Sequence, residues 1–131
     1  MIRRATADDL GAIAILQGRS SWRPADYLHH ECTVAEVDGR LVGVLASRET
    51  APGEREILNL AVDASCRRQG VARALLEHEL AGARGEWFLE VRESNTAALN
   101  LYRSCGFQAV GRREGYYSEP CEAGIVMRFF S

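Results

Sequence analysis

An apolar run, a short charged turn and a second apolar run of different period occupy residues 57–83. Ile57-Leu58-Asn59-Leu60-Ala61-Val62 reads as a strand. Ala72, Leu75, Leu76, Leu80 and Ala83 then recur at three- and four-residue steps, the stripe of a helix over about residues 69–83. A strand that feeds a helix through so short a turn points to a fold in which helices cover a sheet. The turn is Arg67-Arg68-Gln69-Gly70-Val71-Ala72-Arg73. The first turn of a helix has unpaired N–H groups and the positive end of the dipole, which suits a phosphate. Close packing of helix on strand is the plainer reason for a glycine there. Three cations in a first turn oppose the dipole, however, and a bound anion would offset that. The spacing is neither that of a P-loop nor that of a dinucleotide fold.

The chain has 131 residues, 47% of them hydrophobic, with a net charge of −2. That size and composition fit one folded domain, expected over 1–131. The charge argues against a general nucleic-acid or membrane-surface binder. Cys32, Cys66, Cys105 and Cys121 show no Cys-x-x-Cys pair and no histidine at ligand spacing, so the expectation is free thiols in a reducing cytoplasm and no metal. His29, His30 and His78 lack ligand-spaced partners too. No apolar stretch approaches the roughly 20 residues of a membrane span, and the N-terminal residues lack an apolar signal core. A soluble cytoplasmic protein is expected, monomeric or homodimeric.

Along the chain, residues 2–5 suggest a first strand. Thr6 can cap a helix with Asp8 and Asp9 in its first turn, and Leu10, Ile13, Ala14 and Leu16 follow near helical spacing. Pro24 can start a short helix through Tyr27 and Leu28. Asp38-Gly39 between apolar runs is a hairpin signal, and Pro52-Gly53 a loop before the strand at 56–62. Trp87-Phe88-Leu89-Glu90-Val91 reads as a strand. Ser94 or Asn95 can cap a helix over 96–104 that ends before Gly106. Strands at 107–110 and 123–130 close the chain. The order is β-α-β-β-β-α-β-α-β-β, an α/β fold with helices on a mixed sheet.

The turn Arg67-Arg68-Gln69-Gly70-Val71-Ala72 resembles the Arg/Gln-x-x-Gly-x-Gly/Ala motif of GNAT-superfamily N-acetyltransferases. Leu89-Glu90-Val91-Arg92-Glu93-Ser94-Asn95, Ala97-Ala98-Leu99-Asn100-Leu101-Tyr102-Arg103-Ser104-Cys105-Gly106-Phe107 and Arg112-Arg113-Glu114-Gly115-Tyr116-Tyr117 extend the likeness. Together they look like the ribosomal-protein-alanine N-acetyltransferases, the RimI group, over about residues 56–128. The resemblance implies a GNAT-type mixed, mostly antiparallel central sheet flanked by helices. It implies acetyl-CoA as cosubstrate and a primary amine, a protein N-terminus, as acceptor. Leu60, Ala61 and Val62 would pair their backbone with the pantetheine arm. Arg67, Arg68, Gln69, Gly70, Val71, Ala72 and Arg73 would line the pyrophosphate, and Asn95 would touch the pantetheine end. Glu90 would be general base and Tyr102 general acid. Tyr116 and Tyr117 would line the acceptor slot.

The residues support these roles on chemical grounds. An amine must lose a proton before or during attack on a thioester, so a nearby carboxylate is useful, directly or through water. Glu90 interrupts an apolar strand, and burial would bring a carboxyl closer to a neutral working range. The plainer reading is an outward-facing glutamate on an alternating strand. For Tyr102 the plainer reading is a core aromatic with a satisfied hydroxyl; as an acid it would protonate the departing thiolate. Cys105 reads as structural.

The chain departs from the pattern between the first helix and Cys32, where it is short. That segment helps form the acceptor wall in the family, although Trp22 resembles a tryptophan found there. Two rival functions remain: a GNAT enzyme acting on a small-molecule amine or antibiotic, and a non-catalytic acyl-CoA-binding module. A plain phosphate or nucleotide binder is a third. The presence of both Glu90 and Tyr102 weighs against the module.

Overall fold

Residue periodicity becomes three helices and seven strands among the described residues. The computed structural model describes residues 1–17, 31–67, 69–82, 85–117 and 121–130. The strands are β1 (Ile2–Arg4), β2 (Glu31–Val37), β3 (Arg40–Ala51), β4 (Glu54–Val62), β5 (Glu86–Arg92), β6 (Gln108–Tyr117) and β7 (Glu122–Phe130). The helices are α1 (Leu10–Gln17), α2 (Val71–Gly82) and α3 (Thr96–Ser104). One mixed sheet runs in the order β1-β2-β3-β4-β5-β7-β6. The β1–β2, β2–β3, β5–β7 and β6–β7 pairs are antiparallel, and β4 with β5 is parallel. The expected element order is therefore observed. The short helix anticipated after Pro24, together with Trp22 and Arg68, lies outside the described residues.

Contacts divide the chain into two compact units, Met1–Arg48 with Ile57–Ala83, and Glu49–Glu56 with Arg84–Ser131. In the first, the Asp38-Gly39 turn joins β2 to β3, and both residues have positive φ, 51° and 76°. That is the conformation a two-residue hairpin matching the strand twist requires. Strand alternation then sorts β2 between two helices. Cys32 and Val34 pack with Ile13 of α1 and with Val44 and Ala46. Thr33 and Ala35 point the other way: Thr33 bonds Glu79 of α2, and a Cβ on Gly43 would press on Val71, Leu75 and Ala35. So α1 and α2 cover opposite faces, and Gly43 is bare because α2 lies against it.

Two local expectations change in this unit. Residues Ala7–Asp9 form a 3₁₀ turn ahead of α1. Asp9 does more than face the dipole: it accepts the Thr6 N–H at 2.7 Å and both Arg3 nitrogens at 2.9 Å. The stripe of α2 also contains a buried acid, Glu79, which sits with Leu75 and Leu76 and accepts from the Thr33 hydroxyl.

In the second unit, β4 and β5 share three parallel rungs, Glu54↔Glu86, Arg55↔Trp87 and Glu56↔Phe88. Asn95 caps α3, its Oδ1 accepting the Ala98 N–H at 3.1 Å. Leu99 and Tyr102, three residues apart, are the buried face of α3. Tyr102 meets Phe107 edge-on at 5.7 Å, and Phe107 meets Phe129 at 5.5 Å. Strand β6 is longer than its apolar residues foretold. Almost all of it is exposed, because it is an edge strand with no core face to mark it in the sequence.

Candidate active site

Strand β4 ends in Leu60, Ala61 and Val62, each half-buried and each beyond the last parallel rung. Asp63 closes the strand. Its N–H donates to the Val42 carbonyl at 2.8 Å, and its carboxylate accepts the Ser65 N–H at 2.9 Å. The chain then turns through Ala64–Cys66 and reaches Gly70, whose φ is +80°. A side chain would be strained there, although the space around it is open. Helix α2 begins at the next residue. The N–H groups of Val71 and Ala72 thus open a helix of 12 residues, with no carbonyl one turn back inside it to take them. Arg73 forms an ion pair with Glu77 at 3.6 Å, which moderates its opposition to the dipole. Gln69 reaches back to the Ser65 carbonyl at 3.4 Å.

This end of α2 suits an anion of pyrophosphate type. The space around Gly70 is open, the first amides of α2 have no acceptor inside the helix, and Arg67 is exposed a few residues before them. Asn95 has a structural duty as a cap, so only its Nδ2 donors could serve a ligand.

The second unit carries Glu90, Tyr102, Tyr116 and Tyr117. Trp87, Leu89 and Val91 are buried on one face of β5, and Glu90 is on the other. The alternation foreseen as the plainer reading is present. Glu90 is nevertheless only 15% exposed. Its Oε1 accepts from Arg113 Nη1 at 2.6 Å. Its Oε2 is buried without a hydrogen-bond partner among the described residues. Strand β7 passes beneath with Gly124, where a Cβ would come within 3.1 Å of Glu90 Oε2, 3.1 Å of the Tyr116 ring and 3.3 Å of the Tyr117 ring.

The two tyrosines meet edge-on at 5.0 Å. Each carries an arginine on its face, Arg113 over Tyr116 at 4.4 Å and Arg92 over Tyr117 at 4.5 Å. Burial, and then the Glu90 carboxylate and Tyr116, push the Tyr117 hydroxyl above its ordinary value. Burial, reinforced by Cys105 and Tyr117, pushes Tyr102 up to about 12. Tyr102 therefore keeps its proton throughout the neutral range. The structure thus gathers Glu90 with Tyr116 and Tyr117 in one cluster.

Sequence reasoning missed Arg113, Arg92 and Gly124, which complete that cluster. The pair Arg112-Arg113 was visible, but nothing local distinguished Arg113, bonded to Glu90, from Arg112, which pairs with Glu93 and Glu114. A cavity of about 410 Å³ beside the cluster, lined by Glu93, Arg112, Glu114, Cys121 and Glu122 among others, was also unforeseen.

The sheet order and its helices are those of an N-acetyltransferase fold. The crystal structure of the ribosomal-protein-S18-alanine N-acetyltransferase from Escherichia coli matches with a TM-score of 0.86 at 28% identity, covering 98% of this chain and 92% of that one. The sequence makes the assignment specific: the model of the acetyltransferase (GNAT) family matches residues 7–107, and the chain belongs to that family. The N-alpha-acetyltransferase RimI of Mycobacterium tuberculosis is 42% identical over an alignment 121 positions long that covers 85% of this chain and 77% of that protein. The ribosomal protein bS18-alanine N-acetyltransferase of Escherichia coli is 48% identical over 81 residues. The match spans 56% of this chain and about half, 54%, of that relative. No described helix is long and apolar enough to cross a membrane, and none of the four cysteines forms a disulfide.

Proposed function

We propose that this acetyltransferase moves the acetyl group of acetyl-CoA to the α-amino group of a protein N-terminus, by direct attack in a ternary complex. The observation that carries the reading is the 42% identity to an N-alpha-acetyltransferase across most of both chains. The unpartnered Oε2 of Glu90 supports it. Acetyl-CoA, when bound, supplies the thioester and a thiol leaving group. Leu60, Ala61 and Val62 offer backbone to its pantetheine arm, the turn from Arg67 to Arg73 offers amides and charge to its pyrophosphate, and Asn95 offers its Nδ2. Glu90 Oε2 takes the proton of the attacking amine, directly or through water, as the nitrogen bonds to the acetyl carbon. Tyr102 holds a proton at its hydroxyl and gives it to the sulfur as the carbon–sulfur bond breaks. Tyr116 and Tyr117 flank the acceptor, and Trp22 is assigned to acceptor binding from the family resemblance alone.

Residues 1–131 are read as one acetyltransferase domain, since the family match runs through parts of both units. A cytoplasmic protein, monomeric or homodimeric, fits this role. Acetylation of an alanine-initiated peptide should be compared with that of polyamines and aminoglycosides. Turnover of the small amines alone would remove the N-terminal acceptor from this reading.

A further inference from the structure

The two oxygens of Glu90 are unlike each other: one accepts from Arg113 and the other is buried without a partner. An unsatisfied buried carboxylate oxygen is costly in a folded protein, and a polar group docking against it would relieve that cost. The difference between the oxygens originates on β6. Arg113 stands opposite Gly124, and Gly124 stands opposite Arg92, so one rung reads Arg92–Gly124–Arg113. Glu90 lies two residues along β5 from Arg92, on the same face. Arg113 therefore reaches diagonally across a whole strand, over a residue with no side chain.

Its direction is set from above. The guanidinium stacks on Tyr116, which is braced edge-on by Tyr117, itself capped by Arg92. Guanidinium is planar with donors in a rigid fork, so a stacked plane fixes where its N–H groups aim.

We propose that Arg113 is a positioning residue for acetyl transfer: it grips Glu90 by Oε1 across Gly124 and so presents Oε2 alone to the acceptor amine. The proposal rests on Glu90 being the general base. The pair is poorly suited to being a stability device, because Arg113 is 58% exposed and exposed ion pairs contribute little.

The test uses the full chain with R113Q, R113K, E90Q and the R113Q/E90Q double variant, with an alanine-initiated peptide as acceptor. R113Q is expected to lower kcat by roughly tenfold or more while the acetyl-CoA KM and the melting temperature stay put. R113K should recover part of the loss, having the charge without the planar fork. In the E90Q background R113Q should cost nothing further, since it acts only through Glu90. In the ligand-free protein, the ¹³C resonance of the Glu90 carboxyl should move in R113Q and stay in R112Q, which needs no turnover to read. An unmoved resonance, a full kcat in R113Q, or a loss that multiplies with that of E90Q overturns the positioning role alone. Full turnover in E90Q overturns the base itself and Arg113 with it.

Discussion

Arg113 and Glu90 stand two strands apart in the sheet and are hydrogen-bonded at 2.6 Å over the bare backbone of Gly124. Neighbouring strands are about 4.8 Å apart, so the pair bridges roughly 10 Å. Only a long side chain can do that, and only if the strand between offers no obstruction. The same missing side chain leaves space for the Tyr116 and Tyr117 rings. One glycine thus sets the geometry of the carboxylate proposed as base.

Gly124→Ala should therefore harm activity more than stability. The new methyl would sit 3.1 Å from Glu90 Oε2 and from the Tyr116 ring, tight enough that one of them must shift. A fall in kcat of about tenfold is expected, because small displacements at a reacting group are costly. The melting temperature should move by only a few degrees, roughly a 1 kcal/mol effect. Steady-state kinetics beside thermal melting checks this, and an unchanged kcat would contradict the account.

Glu90→Gln and Tyr102→Phe should each separate binding from chemistry. Losing a proton acceptor or donor costs about 10²–10⁴ in rate, while acetyl-CoA binding measured by calorimetry should persist. Because Tyr102 is pushed up to about 12, its ionisation should not depress the rate anywhere near neutral pH. A Tyr102-dependent alkaline limb at pH 8–9, absent in Tyr102→Phe, would contradict the upward shift of its hydroxyl rather than its role as acid.

Gly70→Ala tests the anion-binding turn. At φ +80° an L side chain is strained by about 1–2 kcal/mol, so destabilisation of that order is expected in denaturant titration. Acetyl-CoA affinity should weaken at the same time, since the turn can relax only by moving its amides. Weakened stability with unaltered affinity would detach Gly70 from the cofactor.

Asp9 should govern part of the acid sensitivity. The Arg3 side chain, with help from the Thr6 N–H, holds its carboxyl near 2, below the ordinary 3.8. A lowered folded value stabilises the protein above the unfolded value, and that contribution disappears as pH falls through about 2. The effect is on the order of 1 kcal/mol once solvent screening at Arg3 is allowed for. Asp9→Asn should flatten the stability curve between pH 4 and about 2, a range unfolding curves by circular dichroism can cover.

Thr33→Val should be costlier than its small change suggests. It would leave the buried Glu79 carboxylate without its hydroxyl donor, with His78 Nδ1 3.9 Å away among the described residues. About 2–3 kcal/mol is expected in chemical denaturation. Adding Glu79→Leu to Thr33→Val should recover much of it, because an apolar pair leaves no stranded charge. No recovery would mean that the carboxylate is not the source of the penalty.

Much of this was legible in the chain. The period of α2, the Asp38-Gly39 hairpin and a cap at Ser94 or Asn95 are short-range patterns, set by residues within a few positions of one another. Glu79 was invisible as a buried acid because a stripe of leucines hides one polar member until its partner, 46 residues away, is known. Strand β6 beyond Val110 was missed because an exposed edge needs no apolar alternation.

The sequence by itself determined the element order, the glycine turn before α2 and, through family resemblance, the acetyltransferase class with Glu90 and Tyr102 as candidates. Local propensity and motif spacing suffice for these. Only the tertiary structure decided which of two adjacent arginines grips Glu90, which of its oxygens is left without a hydrogen bond, and that Gly124 lies between them. Those facts depend on strand register. A shift of one residue on β6 would turn Arg113 to the other face, and no short-range pattern in the chain records that register.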